Sequence, residues 1–354
     1  MQQPMPRIVA VGRAVPSYKL DQSVVRDYAL ARFADTKLNL KKLADVFEHA
    51  QIKQRYFSVP VEWFQSPKSF LEKNQAYIES CDKLGAAAAR ECLDRAGVAP
   101  GDVDYIIFVS TTGLATPSID ARLINILGLQ PHVRRTPIWG LGCAGGAAAL
   151  SHAYHHLLGH PGERVLIVAA ELCGLTFQYD DLSRSNFIAT ALFGDGAAAV
   201  LVAGGGTASA GVEILGTRST FWPDSLDVMG WNMMNTGMQV VFSQSIPRIV
   251  GERARGDIDS FLAGQGKKLE DISYLIVHPG GAKMIEAYET ALGLAPGRMD
   301  ICREVLRGYG NVSSVSVLFV LDEHLKRFPR GSGAYGLVSS LGPGFCSESL
   351  LVRF

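Results

Sequence analysis

Short apolar runs bounded by polar or glycine-rich turns recur along the chain. Tyr105–Ser110 (YIIFVS), Arg164–Ala169 (RVLIVA), Ala197–Val202 (AAAVLV), Tyr274–His278 (YLIVH) and Ala334–Ser339 (AYGLVS) have strand length and no polar alternation, so they read as buried strands. Between them, Leu84–Ala96, Asp120–Leu127, Gly145–Leu158, Gln244–Leu262, Ala282–Leu292 and Val312–Arg327 have the length and apolar spacing of helices. The alternation predicts an α/β layered fold. Residues 17–75 are mixed and polar and read as helices joined by loops.

The pattern also rhymes with itself. Leu84–Ala96 leads through an Asp-centred turn (Gly101-Asp102-Val103-Asp104) into the strand at Tyr105. A segment from Ile258 leads through Leu269-Glu270-Asp271 into the strand at Tyr274. Such self-similarity predicts an internal duplication with its active site at the junction. The boundary is expected near Gly204–Gly216, giving halves of 1–210 and 211–354.

Bulk composition narrows the class. A chain of 354 residues that is 47% hydrophobic and 19% charged reads as a compact, well-buried enzyme rather than a disordered chain. Lys+Arg and Asp+Glu balance at 34 each, so no basic field points to nucleic acid or anionic lipid. No apolar run is long enough to span a bilayer, and no signal-peptide core follows the N-terminus. The six cysteines form no CxxC pair, which predicts reduced thiols in a cytoplasmic protein, without a disulfide frame or zinc site. The histidines are dispersed, and His155-His156 reads as an exposed helix pair rather than a metal site.

One cysteine stands apart. Cys143, in Trp139-Gly140-Leu141-Gly142-Cys143-Ala144-Gly145-Gly146, opens a Gly/Ala-rich helix, where the helix N-terminus favours a thiolate. Alone it reads equally as a small core residue. His278 in Val277-His278-Pro279-Gly280-Gly281 and Asn311 in Tyr309-Gly310-Asn311-Val312-Ser313 change the balance, each lying in a glycine-rich turn beside an apolar stretch. If these distant loops converge, His278 polarises the thiol to a thiolate–imidazolium pair. His278 and Asn311 then hydrogen-bond a thioester oxygen as it becomes an oxyanion or enolate. The bland alternatives are a core histidine and a helix-capping asparagine.

The motifs WGLGCAGG around Cys143, ALFGDGAAA at Ala191–Ala199, HPGG at His278–Gly281, YGNVSS at Tyr309–Ser314 and SLGPGF at Ser340–Phe345 carry a resemblance. From about residue 7 onward the chain resembles type III polyketide synthases, the chalcone-synthase-like branch of the thiolase fold. The resemblance implies a duplicated α-β-α-β-α architecture and a homodimer with no bound cofactor, because acyl-CoA and malonyl-CoA are substrates. It implies that Cys143 carries the starter and the growing chain, while His278 and Asn311 drive malonyl decarboxylation. Phe193 matches a gatekeeper phenylalanine between the CoA tunnel and the cavity. A second gatekeeper position falls at Val240, and the cavity floor, usually glycine, falls at Trp231 or, one residue earlier, Gly230. Thr111, Cys173, Thr176 and Ser313 fall at cavity-lining positions, and Gly342 and Pro343 in the scaffold loop. Thr116 falls where plant members pass a methionine across the dimer interface. Lys53 and Arg55 stand nearest to the basic residues that grip CoA phosphates, with Lys283 a further candidate.

Within the family, Glu171–Asn186 and Asp224–Trp231 are similar to bacterial alkylresorcinol and alkylpyrone synthases, which take fatty acyl starters and add two or three malonyl units. A fatty starter needs an apolar tunnel leading away from Cys143, each buried methylene contributing about 0.8 kcal/mol. Cys173, Val240 and Met233 are the side chains that would permit one. The starter arrives from CoA or from a fatty-acid-synthase carrier protein, and closure to pyrone or resorcinol stays open. The alternatives are a carrier-protein-dependent β-ketoacyl synthase, a malonyl-primed synthase of a hydroxylated naphthalene, and an inactive thiolase-fold scaffold.

Overall fold

The computed structural model describes residues 4–34, 36, 39–207 and 210–354, without the side chains of 40–43. Residues 1–3, and 208–209 within the expected boundary, lie outside the described residues. In chain order the first half contains β1 (Arg7–Ala14), β2 (Tyr18–Asp21), α1 (Gln22–Arg32), α2 (Leu40–His49), β3 (Gln54–Phe57), α3 (Phe70–Ala96), β4 (Tyr105–Val109), α4 (Ile119–Leu127), β5 (Arg134–Ile138), α5 (Gly145–Gly159), β6 (Arg164–Leu172), α6 (Arg184–Leu192) and β7 (Asp195–Ala203). The second contains β8 (Val212–Phe221), β9 (Met229–Met234), β10 (Gly237–Phe242), α7 (Ile246–Gly264), β11 (Ile272–Val277), α8 (Ala282–Leu292), α9 (Asp300–Tyr309), α10 (Ser314–Arg327), β12 (Tyr335–Gly342) and β13 (Cys346–Arg353).

Nine strands hydrogen-bond in the order β11-β12-β13-β8-β1-β7-β6-β4-β5. In the first half β4 and β6 are parallel, while β7 is antiparallel to both β6 and β1. The second half repeats this pattern: β11 and β12 are parallel, while β13 is antiparallel to both β12 and β8. The halves meet where β1 pairs antiparallel with β8. Helices α5 and α10 occupy equivalent places in the two repeats, pack on each other, and touch strands of both sheet halves. They form the central layer of an α-β-α-β-α stack.

The apolar runs are buried strands because both of their faces are covered. Ile107, Val109, Ile167 and Val200 join the core shared with α5 and α10, whereas Ile106, Phe108, Val168 and Leu201 join the core under α3 and α4. Helix α5 reaches the centre because its first residues are small. A Cβ on Gly146 would sit 2.2 Å from the Ser314 carbonyl oxygen at the start of α10.

Two expectations change. Helix α3 begins at Phe70 rather than Leu84, with a capping box between Ser69 and Glu72; its polar first half buries only Lys73, Tyr77 and Cys81. Residues 17–75 are not only helices and loops, because β2 and β3 form a two-stranded ladder between segments far apart in sequence.

Candidate active site

The three candidate residues sit at ends of elements that the duplication brings together. Cys143 lies in a tight turn, Gly142–Ala144, just ahead of α5. Gly142 has φ +47° and packs so closely that a Cβ would fall 2.6 Å from the Pro343 ring. Its N–H donates to Thr111 Oγ1 at 3.0 Å. A Cβ on Gly342 would fall 2.4 Å from the Leu141 carbonyl oxygen, so Gly342 and Pro343 clamp the Cys143 turn from the far half. His278 follows β11 and is anchored by its N–H to the Ser339 carbonyl. Asn311 precedes α10, as Cys143 precedes α5, and its backbone pairs with Leu192 and Gly194 beside Phe193.

Hydrogen bonds orient the Asn311 amide. Oδ1 accepts the Ser313 N–H at 2.8 Å, and Nδ2 donates to the Gly280 carbonyl at 3.0 Å. The nitrogen is thereby turned toward the His278 turn, with a second N–H to give. Ser313 takes φ +47°, a left-handed conformation that non-glycine residues rarely adopt and that recurs at functional sites. The Cys143 Sγ lies 3.6 Å from Ser313 Oγ. Cys143, Ser313, Asn311, Gly280 and His278 thus form one connected set.

Electrostatics depart from the expected ion pair. Burial pushes the Cys143 thiol up to about 12 and pulls His278 down to about 4, leaving both neutral. Cys143 is only 6% exposed, so taking either charge out of water costs more than the helix N-terminus returns. His278 Nδ1 has no hydrogen-bond partner among the described residues.

A residue the sequence reading passed over lies beneath this set. Glu171, at the end of β6, is fully buried and accepts from Thr111 N–H (3.0 Å), Thr112 Oγ1 (3.0 Å), Ser314 Oγ (2.7 Å) and Ser313 Oγ (3.3 Å). Burial raises its pKa, and those donors oppose the rise. The signal was available: a lone carboxylate closes an otherwise apolar strand, RVLIVAAEL.

Three chambers share walls around Cys143. The catalytic chamber, about 30 Å³, is lined by Cys143, Ser313, Trp231, Val240 and Pro343 among others. Phe242 also lines an outer chamber of about 500 Å³, which reaches Gly280 and Gly281 and carries Arg184, Arg248 and Lys283. Cys173, Phe193 and Val240 also line an inner chamber of about 50 Å³, walled by Leu20, Val25, Phe57, Val61, Phe64 and Phe177. Thr176 lines that inner chamber. Val240 and Trp231 are cross-strand partners in the β9–β10 hairpin, and the Trp231 and Phe193 rings lie 6.4 Å apart. Gly230 and Trp231 both line the catalytic chamber.

The remaining candidates fall elsewhere. Thr111 supports the Cys143 turn from behind. Met233 is 53% exposed on the hairpin and lines none of these chambers, so it plays no part in a tunnel. Lys53 is exposed and outside the chambers. Arg55 is completely buried, with Nη1 donating to the Thr190 and Phe193 carbonyls, and cannot grip a phosphate in solvent. An alternating strand puts every second side chain inward, which the local sequence around Arg55 does not reveal. His156 is half-buried rather than exposed; with His160 and Glu163 it forms the one set of possible metal ligands found among the described residues, within 4.8 Å of one another. That set lies at the far end of α5 from Cys143, and Arg134 engages both Glu163 oxygens at 2.8 Å. No helix among the described residues is long and apolar enough to cross a membrane.

The sequence matches the family description "Chalcone and stilbene synthases", N-terminal domain, over residues 2–206 and its C-terminal domain over residues 213–354. It is 39% identical to a putative chalcone synthase of Bacillus subtilis (strain 168), over 97% of each chain. It is 37% identical to 1,3,6,8-tetrahydroxynaphthalene synthase of Streptomyces peucetius subsp. caesius, over 98% of this chain and 93% of that one. The fold is similar to the crystal structure of 1,3,6,8-tetrahydroxynaphthalene synthase from Streptomyces coelicolor A3(2), a bacterial type III polyketide synthase. That match has a TM-score of 0.94 at 28% identity and covers 98% of this chain and 99% of that one.

Proposed function

Because the chain belongs to the chalcone and stilbene synthases, thiolase-fold type III polyketide synthases of the acyltransferase class, we propose that it primes with a long-chain acyl-CoA. It extends that starter with two to three malonyl-CoA units and closes the chain to an alkylpyrone or alkylresorcinol. The observation that carries this reading is the inner chamber, whose apolar walls meet the catalytic chamber at Cys173, Phe193 and Val240. The first methylenes of a fatty chain on Cys143 would enter it, each contributing about 0.8 kcal/mol, and a longer chain would part its walls.

The chemistry follows from the neutral Cys143–His278 set. As the Cys143 sulfur attacks the acyl thioester, its proton passes to His278, the C–S bond to CoA breaks, and the CoA thiolate leaves with that proton. Malonyl-CoA then loses CO₂. The resulting enolate oxygen accepts hydrogen bonds from Asn311 Nδ2 and His278, and the enolate carbon attacks the acyl–Cys143 carbonyl; the C–S bond to Cys143 breaks, and the departing thiolate takes a proton from solvent to restore the thiol. Donors fixed before the charge develops lower the barrier without reorganising, and no carboxylate base is required. Arg184, Arg248 and Lys283 on the outer chamber suit the CoA phosphates in place of Arg55. The enzyme works as a cytoplasmic homodimer with no resident cofactor or metal.

A malonyl-primed reaction giving a hydroxylated naphthalene is the second reading, favoured by the likeness to tetrahydroxynaphthalene synthases. Purified protein incubated with malonyl-CoA and acyl-CoA starters from acetyl to about twenty carbons, read by mass spectrometry, separates the two. Long-chain pyrones or resorcinols support the first reading. Aromatic product from malonyl-CoA alone selects the second. An acyl carrier protein offered as donor tests the other starter source.

A further inference from the structure

Behind Phe193 and Asn311 lies a buried cation that the condensation chemistry does not use. Arg55, on β3, has no exposed surface. Its Nη1 donates to the carbonyls of Thr190 (2.6 Å) and Phe193 (2.7 Å), at the C-terminal end of α6. A cation there satisfies helix-end carbonyls that have no intrahelical donor.

The same chain end is laced to the catalytic asparagine. The Asn311 N–H donates to the Leu192 carbonyl at 2.8 Å, and the Gly194 N–H to the Asn311 carbonyl at 3.0 Å. Two glycines admit the arginine stem. A Cβ on Gly310 would lie 2.7 Å from Arg55 Cδ, and one on Gly194 would lie 3.5 Å from Arg55 Cβ. Asp195, also fully buried, supplies the negative charge that Arg55 feels; it accepts from Ser58 N–H (2.8 Å), Ser58 Oγ (2.7 Å) and Gly174 N–H (2.6 Å). Arg55 and Asp195 together therefore tie β3, the end of α6, the Asn311 turn and the turn bearing Cys173.

Stability alone is a weak reason for this arrangement. Arg55 Nε and Nη2 are buried without a hydrogen-bond partner among the described residues. A buried cation with unmatched donors costs free energy that an apolar side chain would not. Its two good hydrogen bonds go to the segment that sets where Phe193 and Asn311 stand.

We propose that Arg55 is a positioning residue for condensation, holding the Leu192–Gly194 segment so that the Phe193 ring and the Asn311 amide keep their places around Cys143. The proposal rests on the polyketide-synthase reading of this site. It separates the two half-reactions. Transfer of the starter to Cys143 depends on the thiol and His278. Decarboxylative condensation depends on the Asn311 amide, and chain-length choice on Phe193.

Arg55→Met and Arg55→Lys test it. Acyl–Cys143 formation is followed by intact mass, and condensation is measured per acylatable site. Arg55→Met is expected to acylate within about threefold of wild type while kcat for condensation falls by at least about tenfold, because a displaced amide loses charge stabilisation only in the transition state. The KM for malonyl-CoA should change little, and the distribution of starter lengths among the products should broaden. Arg55→Lys restores a cation with different reach and should recover part of kcat. Unchanged kcat per acylatable site would overturn the proposal, because a purely structural role lowers only melting temperature and active fraction. Loss of folded protein in both variants would likewise overturn it, assigning Arg55 to folding. The wild-type rate in the same assay reports on the polyketide-synthase reading, and the variant-to-wild-type ratio reports on Arg55.

Discussion

Replacing Val240 by phenylalanine should close the passage between the catalytic and inner chambers. Val240 lines both chambers and faces Trp231 across the β9–β10 hairpin. Cys173 and Phe193 also line both chambers, and the Trp231 ring lies 6.4 Å from the Phe193 ring. A phenyl group at 240 therefore points into the path of the acyl chain. If the chain is buried in the apolar chamber, each methylene entering it contributes about 0.8 kcal/mol, about fourfold in kcat/KM. Excluding two methylenes, about what the chamber holds, would cost about 1.6 kcal/mol, about fifteenfold. The assay is kcat/KM across a ladder of saturated acyl-CoA starters. Wild type should show log(kcat/KM) rising with length until the chamber of about 50 Å³ is filled. Val240→Phe should follow the same line for short starters, then flatten or fall. Parallel slopes in the two proteins would refute the route through Val240, and a flat wild-type line would refute burial of a fatty chain altogether.

Other perturbations separate the remaining parts of the argument. Asn311→Ala should still form acyl–Cys143 but lose about 100- to 1000-fold in condensation, the cost of removing one preorganised donor, read by comparing acyl-enzyme mass with product formation. His278, held down to about 4 by burial, stays neutral in the folded protein while its unfolded counterpart, near 6.5, takes up a proton. Its folded pKa is depressed, so stability is complete above pH 6.5 and is lost as pH falls toward 4. Urea unfolding at pH 7 and pH 4 should show wild type losing about 3 kcal/mol more than His278→Gln. Gly146→Ala drives a Cβ into the Ser314 carbonyl and should lower stability by about 1–3 kcal/mol by parting α5 from α10, seen as a lower urea midpoint. Replacing Arg184 and Lys283 together by alanine should raise the KM for malonyl-CoA about 5- to 30-fold at low salt with kcat preserved, and the difference should shrink as salt is added.

Local sequence determined much of this protein. Its buried strands announced themselves because both faces are covered, so apolar runs such as YIIFVS and RVLIVA carry no polar alternation. The duplication showed as a repeated helix–turn–strand order, which the sheet repeats in strand directions. Cys143, His278 and Asn311 were legible because each stands in a glycine-rich turn where backbones approach closely, and glycine is the one residue that permits such contact.

Tertiary structure alone decided the rest. The β2–β3 ladder joins segments separated by two helices. Arg55 looked like a solvent-facing phosphate ligand and is instead a buried clamp, because partners from α6 and the Asn311 turn close over it. Glu171 gains its meaning from donors just after β4 and at the start of α10, and Met233 loses its expected role because its strand turns it outward. The ionisation of Cys143 and His278 was decided there too. A helix N-terminus is a local feature that sequence can show, but desolvation is set by everything packed around a group, and here it outweighs the helix. Periodicity and turn chemistry act over a few residues and can be read along the chain; burial, charge state and cavity shape are sums over distant segments and exist only once the chain has closed on itself.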